Sequence, residues 1–429
     1  MQGDIVIVGG GAGGLELACK LGRKLGTDHV MLVDSRQYHI WKPSLHEVAA
    51  GTLDIHQEGL SYSMLGHDNG FRFVYGALTG LDRDARLLQL APIHDEHGAA
   101  VLPARSVGFS TLVLAVGSVS NYFGVQGARE HSISLNATED AERFRLSLLK
   151  LLTQADAAPS RVGVDIVIIG AGATGVELAA ELREASGVYA SYGFEHLDPA
   201  RDVRITLLEG AARILAPLPE RVSAAALKLL GQRAIRVVTG CKVTAIEPGL
   251  VHDGAGQQYR ADLCVWAAGI RAPDLLAGLG LELNRTGQVL VDAFLQAHGG
   301  GAIYALGDCA ACTGADGKAV PPRAQAAHQQ ADFLCRRLLR AAAGKPPEAR
   351  PYAYRDYGSL VSFGQGSTVG SLMGSLKGLH WFVEGGFARL MYVSLHLLHH
   401  QAVLGTLRTA VLAVARYLIK RSTPLVKLH

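Results

Sequence analysis

Cysteine is scarce in this sequence. Six among 429 residues do not make the disulfide framework of a small secreted scaffold. One C-x-x-C pair, Cys309 and Cys312, has no second Cys or His pair at comparable spacing. A structural zinc site would lack half its ligands, so no metal is expected. Charge is thin as well, at 18% against 49% hydrophobic residues, with a net charge of +3. The one basic concentration, near the C-terminus, is interleaved with an apolar stripe rather than with stacking aromatics, which argues against nucleic-acid binding. Long apolar runs are missing too. The uncharged stretch 390–407 contains three histidines, Gln401 and Ser394, a poor composition for crossing a bilayer. A cleavable leader is not expected, because "DIVIVGGGAGG" starts a buried strand at Asp4 and leaves no room for one. The body of the protein is therefore read as cytoplasmic.

What the chain has in quantity is glycine. Fifty-one glycines stand well above the roughly 7% of average usage, so many turns are tight or run close to a ligand. Two segments repeat one theme: "DIVIVGGGAGGLELA" (4–18) and "DIVIIGAGATGVELAAEL" (165–182). Each is a β-branched run, then G-x-G-x-x-G, then an apolar helix start. The glycines are Gly9, Gly11 and Gly14, and again Gly170, Gly172 and Gly175. The first makes the strand-to-helix turn, the second admits a pyrophosphate close to the backbone, and the third lets helix pack on strand. The phosphates sit at the helix N-terminus, where free N–H groups favour anions.

Each copy is followed by a strand that ends in an acid, Asp34 after "HVMLV" and Glu209 after "VRITLL". A carboxylate there accepts hydrogen bonds from ribose hydroxyls and repels a 2′-phosphate, so Glu209 favours NADH over NADPH. The predicted fold class is α/β, with two Rossmann-like dinucleotide-binding domains, the second inserted in the first. Two such folds suggest one coenzyme held permanently and one exchanging; a flavin plus a nicotinamide fits, since hydride passes between two apposed rings. "TLVLAVGS" (111–118) and "DLCVWAAGIRAP" (262–273) return the chain to the cofactor at Gly117 and Gly269.

The segments "VDSRQYHIWKPSLHEVAAGTLD" (33–54), "GATGVELAAEL", "VWAAGIRAPD", "GDCAAC" and "VPPRAQAAHQQ" resemble the bacterial type II NADH dehydrogenases, the non-proton-pumping NADH:quinone oxidoreductases. The similarity runs from Gly9 to the terminal "KLH". It implies non-covalent FAD reduced by NADH and reoxidised by a membrane quinone, in a peripheral enzyme, usually dimeric, on the cytoplasmic face of the cell (inner) membrane. Asp308, after the strand "GAIYAL", would face the ribityl chain and phosphate, leaving Cys309 and Cys312 behind it without a catalytic part. Lys42, Pro43 and Ala324 would lie near the flavin. Glu177 would position NADH, with a part in proton handling, and Gln325 and Gln329 would line the quinone site. A neutral amide suits a quinone carbonyl, which needs a donor rather than a charge. His328, between those glutamines, falls off their helix face. No cysteine occurs in "HIWKPSLHEV" (39–48), where disulfide reductases of this fold keep their redox pair, so electrons leave the flavin without a protein thiol.

From Trp381 onward six Lys/Arg (Arg389, Arg408, Arg416, Lys420, Arg421, Lys427) face one acid, Glu384. Leu407, Val411, Val414 and Leu418 form one stripe of a helix, with Arg408, Arg416 and Lys420 opposite. That pattern predicts a helix lying in the membrane interface against anionic lipid, through 381–429. The expected organisation is an FAD domain from 1–125 and 290–345, an NADH domain at 160–285, a linker at 153–160, and a C-terminal region, 350–429, of a β-hairpin followed by membrane-anchoring helices.

Overall fold

The computed structural model describes residues 1–158, 163–194, 196–314, 317–364, 368–373, 380–422 and 426–427. In chain order the elements that position the site are β1 (Gln2–Val8), α1 (Ala12–Leu25), β2 (Val30–Asp34), α2 (Leu45–Ala50), β3 (Arg72–Tyr75) and β4 (Arg105–Leu114). Then come α3 (Thr138–Ala157), β5 (Val164–Ile169), α4 (Ala173–Ser191), β6 (Val203–Leu208), β7 (Ile235–Val238) and β8 (Leu263–Trp266). The chain continues through β9 (Ile303–Ala305), α5 (Ala324–Ala342), β10 (Gly358–Ser362), β11 (Thr368–Met373), β12 (His380–Glu384), α6 (Gly385–Leu404) and α7 (Thr406–Ser422).

Two parallel sheets carry the two halves. In the first, β3, β2, β1 and β4 lie side by side in parallel, and β9 joins β4 from far along the chain. The N-terminal half of β4 pairs antiparallel with Leu87–Leu90. In the second, β8, β5, β6 and β7 are parallel neighbours. Strands buried on both faces read as continuous apolar runs. Ile5–Val8 and Ile166–Ile169 are such runs, and each centres a separate core.

Two expectations change. The linker expected at 153–160 begins as the last turn of α3, because Leu148 and Leu152 bury one face of that helix. The C-terminal hairpin has a third strand, β12, paired antiparallel with β11. Three basic residues of the C-terminal region pair with acids of the body, and the side chains of Arg389, Lys420 and Arg421 lie outside the described residues. Arg408 is ion-paired with Asp68, Arg416 with Glu58, and Lys427 Nζ lies 3.3 Å from Asp54 and 3.8 Å from Glu142. Arg408 keeps 56% of its side chain exposed, and exposed ion pairs of this kind contribute little to stability. The apolar stripe faces out: Leu407 is 80% exposed, and Val411, Val414 and Leu418 are exposed with it. Among the described residues, no helix is long and apolar enough to cross a membrane.

The glycine turns repeat almost atom for atom. Gly9 and Gly170 adopt φ of +104° and +102°, a region L side chains rarely enter. A Cβ at Gly14 would run into the Gly9 carbonyl, and one at Gly175 into the Gly170 carbonyl. The middle glycines, Gly11 and Gly172, begin α1 and α4 with no side-chain cap and nothing within 4 Å of an added Cβ. First-turn N–H groups there are left for an anion. Gly14→Ala and Gly175→Ala are each expected to lower stability in urea unfolding by about 1–3 kcal/mol, as overpacking does. Gly11→Ala should leave it within about 0.5 kcal/mol.

Candidate active site

Each acid that closes a second strand organises the loop it faces. Asp34 accepts from the Gly10 amide at 2.6 Å and the Arg36 amide at 2.8 Å. Glu209 accepts from the Ala171 amide at 2.7 Å and the Ala211 amide at 2.8 Å. Gly10 and Ala171 hold the same place in their loops, between the first two glycines. Burial raises the Asp34 carboxyl above the usual carboxylate range. Each carboxylate oxygen keeps a second lone pair, the acceptor a ribose hydroxyl needs. The open space over Gly11 and Gly172, with uncapped helix starts beneath, fits a dinucleotide pyrophosphate in both halves.

Three distant segments meet at Asp308. Lys42 Nζ donates to the Ser118 carbonyl at 2.9 Å, and Ser118 Oγ donates to Asp308 Oδ2 at 2.7 Å. Burial lowers the Lys42 ammonium, while Asp308 opposes that shift. Gly117 turns at φ +68° with open space where a side chain would stand. Gln330 on α5 fixes the turn by accepting from the Gly307 amide at 2.7 Å. Cys309 and Cys312 are buried behind it, and burial pushes both thiols up to about 11, away from thiolate reactivity. Pro43 accepts from His46 Nδ1 at 2.8 Å, so it also orders α2. Gly269 lies under Phe123, whose ring a Cβ there would strike.

Ala324, Gln325 and Gln329 open α5. Gln325 Oε1 accepts from the Tyr354 hydroxyl at 2.7 Å and the Tyr357 amide at 3.3 Å, leaving its NH2 group uncommitted among the described residues. Gln329 is spent at both ends: Nε2 donates to the Arg355 carbonyl at 2.8 Å and Oε1 accepts from its amide at 2.9 Å. The two amides expected to act alike are therefore in different states. His328, off their face as the helix geometry requires, contacts Glu16 and lies near Trp41 and His399, with ring centroids 6.0 and 5.3 Å away.

Glu177 lies buried on α4. Its Oε1 accepts from the Ser362 amide at 3.0 Å, Tyr392 hydrogen-bonds to it, and His46 Nδ1 is 3.9 Å from Oε2. Burial raises its carboxyl. Sequence reasoning missed this surrounding group, which includes Glu47, Glu181 and Thr52. The available signal was an acid repeated at i, i+4 on an otherwise apolar helix, "VELAAEL". It also missed the histidine cluster. His39 Nδ1 bonds the Gly10 carbonyl at 2.9 Å and its Nε2 meets His399 Nε2 at 2.9 Å; burial drives His39 down to about 4. Glu16–His328–His399 and Glu58–His396–His400 have metal-ligand spacing, but Lys20 and Arg416 already balance the two carboxylates.

Comparison with known proteins agrees with this geometry. Residues 3–331 match the model of the pyridine nucleotide-disulphide oxidoreductase family. The chain is 37% identical to a type II NADH:quinone oxidoreductase of Haemophilus influenzae, over 99% of this chain and all of that one. It is 29% identical to the Staphylococcus aureus protein of the same name, over 86% of this chain and 90% of the other. The fold superposes on NDH2 of Plasmodium falciparum, solved in complex with NADH, with a TM-score of 0.82 over the full length of both at 17% identity. The chain belongs to the pyridine nucleotide-disulphide oxidoreductases, and within them to the type II NADH:quinone oxidoreductases.

Proposed function

We propose that this protein is a respiratory NADH:quinone oxidoreductase that works without pumping protons. FAD is held non-covalently in the first nucleotide fold, from 1–125 and 290–345, and NADH exchanges through the second, 160–285. The observation that carries the reading is the duplicated loop, in which Asp34 and Glu209 make the same paired contacts. What a bound flavin supplies is passage of a hydride's two electrons from nicotinamide to quinone.

The chain's own residues bind, orient and donate. Gly9, Gly11, Gly14 and Asp34 hold one adenylate half; Gly170, Gly172, Gly175 and Glu209 hold the other. Lys42, Pro43, Gly117, Asp308 and Ala324 frame the space between, with Gly269 at the return of the second fold. Gln325 is the quinone donor, because its NH2 is uncommitted, whereas Gln329 positions the 354–357 segment through Arg355. Glu177 orients the nicotinamide and handles protons.

Membrane docking is through apolar area rather than charge. Leu390, Val393, Leu395 and Leu398 of α6 are exposed along with the α7 stripe, in the manner of helices that lie in an interface. The docking face is the cytoplasmic side of the membrane. On family resemblance alone, the assembly is a homodimer.

The purified protein should be yellow, bleach on NADH and recover colour on a short-chain quinone. A colourless protein, or one that NADH leaves unchanged, overturns the reading. Gln325→Ala should slow recovery at least tenfold in stopped flow while bleaching proceeds normally; equal losses in both would remove Gln325 from the quinone side. Glu209→Ala should cut kcat/KM for NADH roughly 10–100-fold, the worth of a charged hydrogen bond, and leave NADPH nearly unaffected. Vesicle co-sedimentation should survive 0.5 M salt yet be lost in Leu407→Glu/Val414→Glu. Release of the unaltered protein by salt would mean that charge, not apolar area, does the docking.

A further inference from the structure

The duplication exposes one position where the second nucleotide helix departs from the first. Glu16 and Glu177 are counterparts, each two residues past the third glycine, each buried, and each facing a histidine, His328 and His46. Four residues on, α1 carries Lys20, whose ammonium pairs with Glu16 at 2.5 Å. The matching place on α4 is Glu181, an acid one turn from another acid. Like charges at i, i+4 destabilise a helix, and here Glu177 and Glu181 are only 7% and 6% exposed.

The surroundings do not neutralise the pair. Next to it α2 contributes His46 and Glu47, α6 contributes the Tyr392 hydroxyl, and β10 contributes the Ser362 amide. Thr52 Oγ1 donates to Glu181 at 2.6 Å, Glu184 follows on the next turn, and Arg416 faces Glu47 from α7. Among the described residues, no Lys or Arg is ion-paired with Glu177 or Glu181. Two carboxylates one turn apart, out of water and with one imidazole between three acids, hold protons more tightly than free carboxylates do. Burial raises both carboxyls, and Glu47 adds to the effect at Glu181. His46 is raised as well, from the opposite cause: burial works to lower it, and Glu177, Glu47 and Glu181 outweigh that.

The reaction needs such a proton. NADH, a proton and a quinone give NAD+ and quinol. The hydride brings two electrons and one hydrogen, so the second quinol hydrogen arrives as a proton from the medium. Building on the quinone-reductase reading above, we propose that Glu181 is the proton-supplying residue that acts through Glu177, with His46 and Thr52 holding it in place. Glu177 releases its proton toward the quinone and takes one from the Glu181 carboxyl. Glu181 regains one from solvent past the half-buried Thr52 and Glu47. No electron moves in these transfers, and every O–H bond broken is matched by one formed.

The test is Glu181→Gln in the flavin-loaded enzyme, with quinone and ferricyanide as parallel acceptors. Ferricyanide takes electrons without protons. The expected result is a quinone kcat lowered at least tenfold at pH 8 with the ferricyanide rate kept. The alkaline limb of the quinone profile should move to lower pH, because Glu177 no longer has a like charge to hold its proton. Thr52→Val removes a hydrogen bond that favours ionised Glu181, so it should move that limb to higher pH. If Glu181→Gln does not fold, this second variant decides alone.

A readout without turnover accompanies it. A carboxyl raised in the folded state stabilises below its unfolded value and loses that stability as pH rises through the folded one. Glu181→Gln should therefore melt above the unaltered protein at pH 8, with the gap closing toward pH 5. Parallel melting curves together with an unmoved alkaline limb overturn the proposal while leaving the oxidoreductase reading intact. Failure of the unaltered protein to reduce any quinone sinks both.

Discussion

A backbone N–H held by a carboxylate, at the mouth of a glycine turn, is the contact on which both halves of this molecule depend. Asp34 reaches Gly10 and Glu209 reaches Ala171, each across from one strand end to the neighbouring loop. A charged hydrogen bond of this kind contributes roughly 1.5–3 kcal/mol, enough to hold a loop whose glycines would otherwise cost conformational entropy. The same carboxylate presents spare lone pairs beside an uncapped helix start. Loop order and the proposed ribose recognition thus rest on the same carboxylates.

Charge placement follows a consistent logic away from those loops. Several acids removed from full solvent have a cation within reach, as Glu16 has Lys20 and half-buried Glu58 has Arg416. Arg408 and Arg416 of α7, and Lys427 beyond it, pair with Asp68, Glu58 and Asp54. The apolar stripe of α7 is left outward, the surface proposed to meet the membrane. The cluster around Glu177 has no such cation among the described residues, and that contrast is what motivates the proposed proton role.

How much of this was legible in the sequence depends on how local each feature is. Both glycine turns, both acids and the two parallel sheets could be read directly, since strand, turn and helix signals lie within thirty or so residues. The helical stripe from Leu407 to Leu418 was equally plain. It is exposed, as an interfacial helix requires; the pairing of Arg408 and Arg416 with Asp68 and Glu58 was not legible, because those acids lie more than three hundred residues earlier. Gln325 and Gln329 look equivalent along the helix, and only the backbone of Arg355 separates their roles. The His46–Glu177–Glu181 group was hidden for the same reason: α2 and α4 meet across the junction of the two halves. The strand pair expected from about 350 onward is β10 and β11; the third strand, β12, was not anticipated because its pairing on β11 is set by register rather than by any local signal.

The central claim is that one polypeptide clasps two adenine-containing coenzymes, one permanently and one in exchange. The most direct measurement is the count of bound coenzymes per chain. Acid-released FAD should equal one per chain after extensive dialysis, and calorimetric titration of that holoprotein with NAD+ should saturate at one more. A chain that retains no flavin, or a flavin-loaded chain with no second site, would contradict the account.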